Sequence, residues 1–291
     1  MLLLEISSAS WLNLPAPDAA PGQYDLFGAC EAPRSSGVAE RPLNPSAPAA
    51  NEMSDEALCA SIAAVTLGDA AEILGEVARR RLTNAVPCLA GLIRRFKGFE
   101  TRRPIIEQTE AVAALVAIGG LDAAAVLRSA IEHGEFNRAN LGAALRAAAG
   151  LSIRLEPSVV EAALGHDEAE IRLAACAFVS ARPSVIAHLV ERLSDADGRV
   201  KIAAACALGD LGRTEARPVL LGLLRTSPSV AIIEAAVGVA DEAMIVQLGK
   251  LAREQDRFRD SVVQALEDCE LEMASKVRQV LAGRRALQSA E

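Results

Sequence analysis

The segment TNAVPCLAGLIR (83–94) returns as TEARPVLLGLLR (214–225), with seven of twelve residues identical in fixed register. The identities are Thr83/Thr214, Ala85/Ala216, Pro87/Pro218, Leu89/Leu220, Gly91/Gly222, Leu92/Leu223 and Arg94/Arg225. A second self-match sets IRLAACAFVSARPSVI (171–186) on VKIAAACALGDLGRTE (200–215), 29 residues further on. Matches in two different helices, in a unit of about thirty residues, are the signature of stacked repeats. A unit that short cannot bury its apolar face alone, so each must lean on the next. A single closed core is thereby excluded.

From Met53 onward, apolar positions recur at i, i+3, i+4 and i+7, broken by short polar or Gly/Pro punctuation. The spacing predicts fifteen helices and no strand: 54–66, 69–82, 84–97, 103–118, 121–133, 138–149, 157–165, 168–181, 183–194, 197–211, 214–226, 229–240, 242–254, 257–268 and 270–284. Hydrophobic residues are 51% of the chain and aromatics only 3%, which suits closely approaching helices rather than a sandwich or barrel. Short connections make neighbouring helices antiparallel. The expected fold is all-α, a right-handed α-solenoid of about seven antiparallel helical hairpins over 53–291.

The run DGRVKIAAACALGDLGRTEARPVLLGLLR (197–225) carries a V-K pair, an A-x-x-A-L-G-x-L-G first helix and an E-A-x-P-x-L-x-x-L second helix. In these features the chain resembles the HEAT repeats of the short bacterial, phycobilin-lyase-like type. The resemblance covers roughly 69–284 and is strongest over 168–226. It implies a superhelix working as a non-catalytic interaction scaffold or adaptor, with partners held along the surface lined by second helices. The same family also includes enzymes and enzyme subunits, bilin-lyase-like or hydroxylase-like, and these form the rival class. HEAT-type di-iron hydroxylases carry recurring His-Glu pairs, whereas no His-Glu pair occurs here.

Residues 1–52 have another texture. They hold seven of the thirteen prolines, the only Trp and Tyr, six acids and two bases, without helical period. Such a segment buries too little apolar area to offset its ordering entropy, so a disordered tail is expected. Met53-Ser54-Asp55-Glu56 has the composition of a chain start followed by a helix N-terminus, and a chain begun at Met53 is expected to keep its melting temperature. The apolar opening of the sequence lacks a positive n-region, and no stretch approaches the ~18–20 apolar residues of a membrane span. A cytoplasmic protein without membrane contact is expected.

No catalytic signature is present: G-x-S-x-G, G-x-G-x-x-G, the P-loop and H-E-x-x-H are all missing from the sequence. His133, His166 and His188 are scattered, so neither metal nor cofactor is expected. The six cysteines include no C-x-x-C and read as packed thiols; Cys176 and Cys206 stand one repeat apart, where first helices should touch. Gly119-Gly120, Gly209 and Gly212 read as helix-ending glycines. The pairs Asp167/Arg172 and Asp195/Arg199 read as an inter-repeat ladder.

One charge feature stands against a net charge of −8. Arg79, Arg80, Arg81, Arg94, Arg95, Lys97, Arg102 and Arg103 lie within 25 residues whose single acid is Glu100. A cluster of that kind is expected to meet an anionic surface, an acidic segment of a protein partner before nucleic acid. The acidic balance of the whole chain argues against a nucleic-acid coat. Oligomeric state is not legible in the sequence.

Overall fold

The repeated T-x-A-x-P segment takes the same local structure twice. Thr83–Ala85 and Thr214–Ala216 each form one 3-10 turn, and each leads into a ten-residue α-helix with proline in its first turn. Proline's fixed φ and missing N–H suit that position, where the backbone N–H has no helical acceptor. Two copies of one sequence thus mark two copies of one unit.

The computed structural model describes residues 49–99, 101–267 and 269–288. Among them are fifteen α-helices and no strand: α1 (Asp55–Ile62), α2 (Ala70–Arg80), α3 (Val86–Arg95), α4 (Ile106–Ile118), α5 (Gly120–Glu132), α6 (Arg138–Gly150), α7 (Pro157–Leu164), α8 (Ala169–Ala175), α9 (Pro183–Arg192), α10 (Gly198–Asp210), α11 (Arg217–Thr226), α12 (Val230–Gly238), α13 (Glu242–Glu254), α14 (Arg259–Ala265) and α15 (Glu272–Gln288). Each overlaps one predicted helix. The largest shortening is in α8, which ends at Ala175 because Cys176–Phe178 tighten into turn-type hydrogen bonds ahead of Pro183.

Consecutive helices alternate between two layers. In one layer α2, α4, α6, α8, α10, α12 and α14 pack each on the next; in the other, α1–α3–α5, α7–α9 and α11–α13–α15 stack. Seven two-helix units, α2–α3 through α14–α15, therefore follow a lone α1, and the architecture is an α-solenoid. Each unit buries a row of Leu, Ile and Val side chains, Leu74, Leu89, Leu115, Leu127 and Leu145 being inaccessible. Burying one such side chain contributes about 1.5–3 kcal/mol.

Small residues set the tightest crossing. On α10, Ala203 to Gly209 are all buried. A Cβ built on Gly209 would lie 2.5 Å from the Ala235 carbonyl oxygen of α12, and one on Gly238 2.4 Å from the Gly209 carbonyl oxygen. Gly209 is therefore not a helix-ending glycine, as the sequence suggested, but an interior residue where two backbones touch. The helix-ending role falls to Gly212, with φ +67°, while Gly119 and Gly120, at +67° and +79°, break the chain between α4 and α5.

At the N-terminal end, residues 1–48 of the expected tail lie outside the described residues. Residues 49–52 do not behave as tail. Ala50–Glu52 form a 3-10 turn against α2, with Ala50 buried. The Ala50 N–H donates to Glu72 Oε1 at 2.9 Å, and the Arg80 guanidinium donates to the carbonyls of Asn51 and Met53 at 3.0 and 2.8 Å. Among the described residues, contacts with α2 reach back to Ala50.

Candidate interaction surface on the first helical unit

The eight bases of the sequence cluster part company in the structure. Arg79 and Arg80 close the last turn of α2 and both clamp Glu76, with Nε–Oε2 at 2.7 Å for Arg79 and Nε–Oε1 at 2.6 Å for Arg80. The two guanidiniums hold the Glu76 carboxyl down to about 2. Arg80 also pairs with Asp55 of α1 at 2.8 Å. With its grip on Asn51 and Met53, it works as a fastener for the N-terminal edge. Arg81 ends α2 in the left-handed region, φ 53°.

At the end of α3, Arg95 Nη1 donates to the Ala63 carbonyl at 2.9 Å and Nη2 to the Val65 carbonyl at 2.6 Å. Its guanidinium lies 4.7 Å from the centre of the Phe96 ring. Arg94 Nε donates to Glu135 Oε1 at 3.0 Å, at the far end of α5. Four of the eight bases thus have carboxylate or carbonyl partners, brought from up to 41 residues away.

The other four, Arg81, Lys97, Arg102 and Arg103, are exposed, and their side chains meet no acid among the described residues. Glu100 lies outside the described residues. Arg81 stands apart from Lys97, because the ten-residue α3 lies between them, about 15 Å of helix. Lys97, Arg102 and Arg103 share the loop between α3 and α4.

That loop is anchored from beneath. Asn137, the N-cap of α6, donates through Nδ2 to Thr101 Oγ1 at 2.7 Å and to the Arg103 carbonyl at 3.3 Å. Asn140 Oδ1 accepts the Ile105 N–H at 2.8 Å, and its Nδ2 donates to the Ile105 carbonyl at 3.0 Å. Gln108, wholly buried on α4, donates to the Ile93 and Glu135 carbonyls at 3.1 and 2.9 Å and accepts from Asn137 N–H at 3.0 Å. These three amides tie the loop before α4 to the loop before α6. Only the helix-capping position of Asn137 was readable in the sequence; the partners of all three arrive from other units.

The ladder is real, with its partners shifted. Arg172 Nε and Nη2 donate to Asp195 Oδ2 and Oδ1, both at 2.8 Å, while Asp167 offers it only a backbone carbonyl. Arg199 pairs with Asp197 and with Glu170 at 2.7 Å, not with Asp195. Arg138 pairs with Asp167 and Glu168. An arginine of the first helix meets an acid of an adjoining repeat, an arrangement that spacing within one repeat does not show.

Cys176 and Cys206 are buried, and burial pushes both thiols up to about 12. A thiol so shifted stays protonated at neutral pH. His166 Nδ1 accepts the Glu168 N–H, and His133 and His188 each set Nδ1 on a carbonyl of their own helix. Among the described residues no three of His, Cys, Asp or Glu converge as a metal site, and no helix is long and apolar enough to cross a membrane.

Residues 156–240, spanning α7 to α12, match the family model of HEAT repeats. That segment carries HEAT repeats. No curated protein and no solved structure matches the chain.

Proposed function

We propose that this chain is a non-catalytic interaction scaffold that receives an acidic segment of a protein partner on the loop between α3 and α4. HEAT repeats commonly mediate protein interaction, and their stacked surfaces hold extended partners. The observation that carries the reading is the trio Lys97, Arg102 and Arg103, exposed and without a described acid in a chain of net charge −8. Crowded like charge costs stability, so its gain lies in complementarity to an anionic surface. The anchoring of Arg103 and Ile105 by Asn137 and Asn140 lowers the ordering cost of binding there.

The test is affinity capture from the source cell with the full chain and with its Arg102→Glu/Arg103→Glu variant, partners being identified by mass spectrometry. A partner lost from the variant, and lost from the parent as salt rises, supports the reading. Partners retained equally by both chains overturn it. Arg95 is unsuitable for charge reversal, because its bonds to Ala63 and Val65 are structural.

A further inference from the structure

Resting on the proposed function, we infer that Phe99 is the specificity-determining contact of this surface, and that the acidic segment it receives carries an aromatic or large apolar side chain seated on that ring. Phe99 is 59% exposed. It is the only large aromatic among the described residues left so open. Leaving it in water forgoes burial that the other described Phe residues obtain.

Its position is nonetheless fixed. The ring meets Phe96 edge-on with centroids 6.1 Å apart, and Phe96 in turn lies under the Arg95 guanidinium at 4.7 Å. The Phe99 N–H donates to the Phe96 carbonyl at 3.0 Å, closing a turn that needs Gly98 at φ +81°. An aromatic ring held in place without being covered, preceded in the chain by Lys97 and followed by Arg102 and Arg103, has the anatomy of an interface centre. A buried anchor supplies most of the affinity, while surrounding charges steer and exclude water.

A peptide fits this chemistry better than a nucleic acid. Three exposed cations on one short loop, meeting no acid among the described residues, match a few carboxylates, whereas a nucleic-acid strand is tracked by a basic groove with several stacking rings. Phe99 stands alone.

The test uses fluorescence anisotropy on the full chain with three labelled probes. These are an acidic peptide with a central Trp, its Trp→Ser counterpart, and an oligothymidylate of equal charge. The Trp peptide should bind about tenfold tighter than the Ser peptide. Phe99→Ala should abolish that ratio while leaving the Ser peptide and the melting temperature unchanged. Arg102→Glu/Arg103→Glu should weaken both peptides. Equal binding of the two peptides, or an unchanged ratio in Phe99→Ala, overturns the role of Phe99 and leaves the charge reading standing. Tighter binding of the oligothymidylate overturns the choice of a peptide. Failure of both peptides at low salt overturns this inference and the proposed function together.

Discussion

Arg172 and Asp195, 23 residues apart, meet through two parallel hydrogen bonds of 2.8 Å, with side chains 11% and 2% exposed. The pair joins α8 to the turn before α10, where Asp195 Oδ1 also accepts the Asp197 N–H at 2.9 Å. Removing one partner of a buried pair costs about 3–5 kcal/mol, moderated for loss of Arg172 by Arg192 Nη1, which stays 3.5 Å from Asp195 Oδ2. Arg172→Met should lower stability by that order in urea unfolding at pH 7, and Asp195→Asn by less, since an amide keeps some of the hydrogen bonds. The Arg172 guanidinium holds the Asp195 carboxyl below the usual carboxylate range. The unfolded chain therefore takes up this proton before the folded one does. The pair's contribution is full above about pH 4 and declines as pH falls further. In Asp195→Asn that acid-side loss should be smaller than in the parent.

The crossing of α10 and α12 yields a matched pair of glycine substitutions. Gly209→Ala would press a methyl to 2.5 Å from the Ala235 carbonyl oxygen and must push the two helices apart. Overpacking of this kind costs about 1–3 kcal/mol. Gly222 lies inside α11 with nothing within 4 Å of a built Cβ. There alanine should raise stability by about 0.5–1 kcal/mol through helix propensity alone. Melting curves of the two variants should shift in opposite directions; a loss at both positions would contradict the open space around Gly222.

These two regions show what the sequence could and could not reveal. Helices and their count follow from local periodicity, and Pro87 and Pro218 mark their starts, so each predicted helix has its counterpart. Partner choice is not local. Arg94 finds Glu135 and Arg172 finds Asp195 only once units stack. A window over 79–103 shows one acid, yet it stops three residues short of Glu76, which neutralises part of Arg79 and Arg80. The cluster's apparent excess of charge was in part an artefact of where the window ended. Gly209 misled for a similar reason: only the approach of Ala235 distinguishes a crossing glycine from a helix-ending one. Phe99 gave no signal because the same residue type fills the core elsewhere.

The N-terminal edge should be measurable by truncation. A chain begun at Met53 loses the Ala50 contact, the Glu72 bond and the Arg80 bond to Asn51. Hydrogen bonds of this kind contribute about 0.5–1.5 kcal/mol each. The Met53 chain should therefore melt several degrees below one begun at Ala49. Coincident melting curves would return the boundary to Met53.

Thiol accessibility provides a chemical check on the stack. With thiols pushed up to about 12, Cys176 and Cys206 should resist a thiol reagent at pH 8 in the folded chain and react in urea. Prompt modification of either in the native state, read by peptide mass, would show that the first-helix layer opens.

Gln108 carries the sharpest prediction about the loop that holds the proposed surface. Its side chain is fully buried, donates to two carbonyls from different units and accepts one N–H. Gln108→Leu keeps the approximate volume but strands the Glu135 carbonyl and the Asn137 N–H, while the Ile93 carbonyl keeps the Phe96 N–H at 3.3 Å. A buried polar group left unsatisfied costs about 1–3 kcal/mol. With two affected together, stability should fall by about 2 kcal/mol or more, above the typical effect of a point substitution. The loss should also be local: amide exchange at Asn137 should accelerate more than at Leu220 on α11, far along the stack. Gln108→Glu retains the acceptor for Asn137 but removes both donors and aims a carboxylate at two carbonyls, so it should destabilise further at pH 7 and recover in part as acid protonates it. Equal stability of the glutamate and the parent at pH 7 would mean that the amide bridge between the two loops does not form.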